Sequence, residues 1–201
     1  KNFLKNKITL DLGCGWGSSS INLAKYSKKL FAIDISEISV QGAEQNIKFN
    51  LKKKIHIRQM DAEKLNFKKN FFDYIYSWGV IHHSENPQKI FSNVYNVMKK
   101  GGKSLVMVYN KHSLRYYCLG FYYLFAKLKI LSGHNLDSVQ KFFTDGFYHK
   151  HYTKEEIKKK LEKIGFKNIK IDVDYMAARV FPGVKKNSKF YLYLKKKFGW
   201  F

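Results

Sequence analysis

At 201 residues the chain has the length of one domain and can bury its own core, and 45% hydrophobic with 17% aromatic residues excludes a disordered tail. The 38 Lys and Arg against 15 Asp and Glu leave +23, a surface that attracts anions at low salt. Two cysteines, Cys14 and Cys118, can build neither a disulfide framework nor a four-ligand zinc site, so no metal is expected.

Only Arg58, Arg115 and Arg179 among the basic side chains are arginines. Nucleic-acid readers draw on Arg for bidentate contacts to phosphate and guanine. A lysine excess beside abundant Phe, Ile, Asn and Tyr therefore fits AT-rich coding bias better than a dedicated nucleic-acid surface. No stretch has the layout of a signal peptide, and no uncharged run reaches about 18 residues. The expectation is a cytoplasmic location.

The elements alternate in period. Ile8–Leu12 reads as a strand ending in a glycine cluster, Ser18–Lys28 as a helix, and Leu30–Ile33 as a second strand closed by Asp34. Ser36–Asn50 is a helix with Ser36 as N-cap. Ile55–Arg58 and Phe72–Ser77 are the third and fourth strands, Pro87–Met98 a helix stopped by Gly101-Gly102, and Ser104–Tyr109 the fifth strand. Strands separated by helices imply βαβ units and a mostly parallel sheet, with ligands at the carboxyl ends of the strands. Then the rhythm breaks. Residues 111–152 are aromatic-rich, with a helix expected over Ser113–Leu131. Thr153–Ile164 is an amphipathic helix with Thr153 and Glu156 as a capping box, Gly165 its stop, and Phe166–Val173 a sixth strand.

Glycines at 13, 15 and 17 let the backbone turn sharply and approach a ligand closely, and amide groups there favour an anion. Ser18 breaks the G-x-G-x-x-G spacing of a dinucleotide site, and no Gly-Lys-Ser/Thr follows as in a P-loop. Three acids fall where strands one, two and three end: Asp11 in the first turn, Asp34, where an acid can bind both ribose hydroxyls, and Asp61, where one can accept from an adenine amine.

In order, Asp11–Gly17, Ala32-Ile33-Asp34-Ile35-Ser36, Met60-Asp61-Ala62 and the run from Phe72 to His83 resemble the motifs of class I S-adenosylmethionine-dependent methyltransferases. Val97–Gly102 is similar to the family's turn into strand five, and Lys163–Phe166 to its entry into strand six. The resemblance implies a Rossmann-like, doubly wound, mostly parallel α/β sheet with a helical insertion after strand five. Strand one would be central between strands two and four, with five outside four. It implies S-adenosylmethionine as cofactor. Gly13, Gly15 and Gly17 would hold its methionine end, with Asp11 and Cys14 in the same turn. Asp34 with Ile35 would take the ribose, Asp61 with Ala62 the adenine, and Ser77, Trp78 and Gly79 the sulfonium side. The final Phe198-Gly199-Trp200-Phe201 resembles the start of the family's last strand.

Methyl transfer is an in-line displacement in which the protein aligns the reactants and removes a proton where the acceptor needs it. His82 and His83 follow the sulfonium-side segment and are the candidate bases. Tyr109, Asn110, Arg115, Tyr148 and His149 are candidate acceptor contacts, with residues 111–152 folding over the strand ends as a cap inserted in a single domain. No Asn/Asp-Pro-Pro-aromatic motif follows strand four, which argues against methylation of exocyclic base amines. The expected activity is transfer to an O or N atom of a small-molecule acceptor, anionic or apolar. RNA methylation and a non-catalytic basic binding module are the alternatives. Tyr116–Leu131, apolar and cationic, fits either a peripheral membrane contact or the cover of a greasy substrate.

Overall fold

Five parallel strands in the order β3-β2-β1-β4-β5 form the sheet of the first unit. They are β1 (Ile8–Leu12), β2 (Lys29–Asp34), β3 (Ile55–Gln59), β4 (Phe72–Trp78) and β5 (Met98–Met107). The computed structural model describes residues 2–47, 54–144, 146 and 148–173, without the side chains of Asn2, Leu114 and Arg115. The C-terminal resemblance at 198–201 lies outside the described residues.

The strand order is the expected one. The chain runs outward from β1 to β3, then returns to the other side of β1, so the switch point lies between β1 and β4. Near-continuous burial explains why these strands read as apolar runs: Leu10, Leu12, Leu30, Ala32 and Ile75 are fully buried. On one face Leu30, Ala32 and Ile55 pack with Ala24 of α1 (Ser18–Ala24) and Ala43 and Ile47 of α2 (Glu37–Ile47). On the other, Phe31 meets Phe67, Phe71 and Phe72 edge-on at 5.5–5.6 Å, the geometry that ring quadrupoles favour. Helix α3 (Pro87–Val97) buries Ile90, Phe91, Val94 and Val97, with Pro87 in its first turn and the Asn86 side chain accepting from Lys89 N. Ser36 caps α2, its Oγ accepting from Ser39 N at 3.2 Å.

Four expectations are corrected. Helix α1 ends at Ala24, not Lys28, where Ser27 N and Oγ both bond to Leu23 O. Strand β5 begins at Met98, because Gly101 at φ 75° carries a bulge between Phe72 and Tyr74 on β4 and does not end the ladder. The expected helix over Ser113–Leu131 is three pieces: α4 (Leu114–Phe121), a π-helical turn at Tyr122–Ala126 and a 3-10 turn at Lys129–Ser132. Leu128 at φ 52° makes the break. Phe166–Val173 forms no strand: exposure alternates along 168–173, but no ladder partner exists among the described residues.

The second unit runs from Tyr109 to Lys163, with 167–173 among the described residues. It holds β6 (Tyr109–Asn110) paired with β7 (His151–Tyr152), α4, α5 (Leu136–Phe142) and α6 (Lys154–Ile164). The Thr153–Glu156 capping box forms in both directions, at 2.9 and 3.1 Å. Phe121, Phe125, Leu128 and Leu131 are all more than half exposed. No described helix is long and apolar enough to cross a membrane.

Candidate cofactor site

The turn after β1 is built by shape. Gly13, Gly15 and Gly17 have φ of 78°, 51° and 83°, a region that L side chains avoid. A Cβ on Gly13 would lie 2.2 Å from Val80 Cγ2, so the β1 turn and the turn after β4 close on each other only because position 13 has no side chain. Around Gly15 nothing lies within 4 Å of a built Cβ, leaving backbone open to a ligand.

The expectation that these glycine amides bind an anion is corrected. Gly13 N and Cys14 N both donate to Ile33 O, Gly17 N donates to Cys14 O, and Gly15 N donates to Asp34 Oδ2 at 2.8 Å. The last bond matters most. Asp34 also accepts from Ser36 N on Oδ1 at 3.0 Å, so two amides fix the carboxylate while lone pairs remain for two further donors.

Asp11 lies within β1, not in the turn, and is buried at 1% exposure under a 2.6 Å hydrogen bond from Ser20 Oγ. Burial pushes its carboxyl up to about 6; the Ser20 bond opposes this and the Asp34 charge adds to it. Cys14 is buried, and burial with the charges of Asp11 and Asp34 pushes its thiol up to about 12, which rules it out as a nucleophile at neutral pH. Asp61 Oδ1 accepts from Glu63 N at 2.8 Å, starting the 3-10 turn that holds Ala62, whose carbonyl accepts from Asn93 Nδ2 at 3.1 Å. Sequence reasoning did not find the 2.5 Å bond from Ser84 Oγ to Glu63 Oε1, which ties the turn after β3 to the turn after β4.

At the end of β4, Ser77 Oγ is buried and without a hydrogen-bond partner among the described residues. Trp78 is 40% exposed, Ile35 after β2 is 68% exposed, and Gly79 has φ 76°. Open glycine backbone, a fixed carboxylate, exposed apolar side chains and a buried hydroxyl thus gather at the carboxyl edge. They fit a ligand with a polar ribose and apolar ring faces. His82 is fully buried, its ring 4.1 Å from that of the half-buried His83.

In the second unit the rings of Tyr109 and His149 are in contact, and Tyr148 lies beside Phe142. Tyr109 meets His149 edge-on at 5.5 Å and His151 at 5.4 Å. Asn110 ends β6, and its Oδ1 accepts from His112 N in the turn that follows. Arg115 is placed by its backbone in α4, and its side chain is outside the described residues.

Residues 4–165 match the methyltransferase domain family, and the chain belongs to it: a Rossmann-like, S-adenosylmethionine-dependent methyltransferase domain. It is 27% identical to the demethylmenaquinone methyltransferase of Lactobacillus johnsonii over 202 residues, covering 94% of this chain and 82% of that protein. It is 29% identical over 111 residues to phosphoethanolamine N-methyltransferase 2 of Caenorhabditis elegans, covering 55% of this chain but only 25% of the relative's length. A ubiquinone biosynthesis O-methyltransferase of Coxiella burnetii is 30% identical over 127 residues, covering 62% of this chain and 54% of that protein. Among solved structures, a methyltransferase from Bacillus halodurans superposes with a TM-score of 0.63 at 26% identity, covering 80% of this chain and 63% of that one.

Proposed function

We propose that the chain transfers the methyl group of S-adenosylmethionine to an oxygen or nitrogen atom of a small-molecule acceptor. The observation that carries this reading is the Asp34 carboxylate, fixed by Gly15 N and Ser36 N beside open backbone. The relatives support the acceptor class by their names, which include quinone-pathway and phosphoethanolamine methyltransferases.

When bound, the cofactor supplies an electrophilic methyl on a sulfonium. The chain's residues then bind and align. Asp34 accepts the two ribose hydroxyls on its remaining lone pairs, and Asp61 with Ala62 takes the adenine edge. Gly13, Gly15 and Gly17 leave room for the methionine end. Ser77, Trp78 and Gly79 line the sulfonium side, and Ser77 Oγ gains a partner there. His83, more accessible than His82, accepts the proton of the acceptor O–H or N–H. Alignment supplies most of the rate and proton removal the remainder.

The test is methyl transfer from labelled S-adenosylmethionine to a panel of amines, phenols and quinols. Asp34→Ala should raise the KM for the cofactor and leave the acceptor's KM unchanged. Equal loss of both would contradict the assignment of Asp34 to the ribose. RNA as the acceptor is told apart by salt: RNA binding would fall steeply with ionic strength, and small-molecule turnover would not.

A further inference from the structure

Helix α4 and the turns that follow it are apolar on two faces. Tyr116, Gly120 and Leu124, each four residues from the last, form the buried one. Gly120 lets α4 approach α5 closely, since a Cβ there would lie 2.2 Å from Leu136 Cδ1. A helix that packs on one side carries polar residues on the side left to water. Here that side carries Cys118, Phe121, Tyr122 and Phe125, at helical spacing and all exposed. The rings of Phe121 and Phe125 stack at 6.1 Å and make one surface. Leu128 N donates to Phe125 O and Leu131 N to Leu128 O, so the chain continues from it into two exposed leucines, Leu131 at 79%. At about 200 Å² per large side chain, the three rings and two leucines leave on the order of 500 Å² open. That matches the largest apolar patch of a typical monomer, and patches of this size mark interaction sites.

The cations of this segment are Lys127 and Lys129. In the π-helical turn Lys127 N donates to Tyr122 O, and Lys127 Nζ comes to 5.8 Å from the centroid of the Tyr122 ring. Lys129 Nζ lies 4.5 Å from the centroid of Phe143. Such contacts keep the charge and lay the aliphatic stems along aromatic surface. No Asp or Glu stands between Glu85 and Asp137 in the sequence. A second copy of the chain would bring the same lysines and a charge of +23 to the contact, which opposes self-association. An acidic lipid surface brings the opposite charge. Aromatic rings and leucines edged by lysines are the composition that lodges at the head-group level of such a surface.

We propose that Phe121, Tyr122, Phe125, Leu128 and Leu131 dock the second unit on an anionic phospholipid surface. The rings and leucines enter the head-group layer, and Lys127 and Lys129 meet the lipid phosphates. The contact is peripheral, because no described helix is long and apolar enough to cross a membrane. It does not rest on methyl transfer, since none of these residues belongs to the glycine–acid site.

The test is co-sedimentation of the folded chain with vesicles of equal parts phosphatidylcholine and phosphatidylglycerol, and with phosphatidylcholine alone, at fixed ionic strength. The mixed vesicles should bind the chain, and the neutral ones about tenfold more weakly or less. The pair Phe121→Ser/Phe125→Ser leaves every charge in place and should weaken binding to the mixed vesicles by about tenfold or more, through lost apolar burial alone. Ile38→Ser, which removes an exposed apolar side chain of the first unit, should change it by less than about twofold. If the pair lowers the melting temperature, Leu131→Ser decides: about threefold weakening or more supports the docking face, and no change overturns it. No binding to the mixed vesicles, equal binding to the neutral ones, or full binding by the folded pair overturns the proposal. So does a wild type that dimerises in analytical ultracentrifugation while the pair stays monomeric, which gives the face to a second copy.

Discussion

Gly15 N donates to Asp34 Oδ2 at 2.8 Å, joining the glycine turn after β1 to the acid that ends β2. The carboxylate is oriented before any ligand arrives, because Ser36 N holds its other oxygen at 3.0 Å. Asp34→Ala should weaken S-adenosylmethionine binding by about 1–3 kcal/mol, the cost of losing a charged acceptor. Titration calorimetry measures this, and an unchanged affinity would remove Asp34 from the site.

Gly13 and Gly15 should separate stability from binding. Gly13→Ala places a Cβ 2.2 Å from Val80 Cγ2 at φ 78°, so it should unfold at lower temperature, with partial recovery in the Val80→Ala background. Gly15→Ala meets no neighbour and should cost only the φ strain, about 1–2 kcal/mol. Its methyl enters the space left for the ligand, so cofactor affinity should fall more than stability does. Thermal melts with and without S-adenosylhomocysteine read both effects.

Asp11 should give stability a pH slope. Its folded carboxyl is raised from 3.8 to about 6, so the folded state holds the proton more tightly than the unfolded chain. The contribution is full below about pH 3.8 and is lost as pH rises through 6. Over that window the wild type should lose about 3 kcal/mol relative to Asp11→Asn. Urea unfolding of both proteins at pH 4, 5, 6 and 7 measures it; parallel curves would contradict it.

The two histidines should behave differently. His82 is fully buried, so His82→Ala should destabilise the fold by about 2–4 kcal/mol through the cavity it leaves, read as a lower melting temperature. His83→Ala should leave the melting temperature and cofactor affinity unchanged and lower kcat by about 10²–10⁴ if His83 takes the proton. An unchanged kcat would remove His83 from the reaction.

Leu128 is exposed with φ 52°, so Leu128→Gly should stabilise the second unit by about 1 kcal/mol, read as a higher melting temperature. A lower melting temperature would contradict the strained turn.

Local patterns were legible in the sequence. The Ser36 cap, the Thr153–Glu156 box and the five strands follow from residues within a few positions of each other, and the glycines and acids that the proposed cofactor site uses stand in order along the chain. What depends on a distant partner was not legible. Residues 168–173 alternate as a strand should, yet alternation reports one sheltered face and not a neighbour to bond with. Gly101-Gly102 reads as a stop, but Gly101 makes a bulge because β4 lies beside it. The glycine amides read as anion donors until Ile33 O and Asp34 appear as their acceptors. Asp137 meets Lys111 and Tyr116, separated from it by 26 and 21 residues, and no local motif announces that pairing.

The central claim, that the glycine turn and Asp34 form an S-adenosylmethionine site, is tested most directly by titrating S-adenosylmethionine into the folded chain and into Asp34→Ala and Gly15→Ala. The account predicts saturable one-to-one binding by the wild type, weakened in both variants while each stays folded. A folded wild type that binds neither S-adenosylmethionine nor S-adenosylhomocysteine, or variants that bind as tightly as it does, would contradict it.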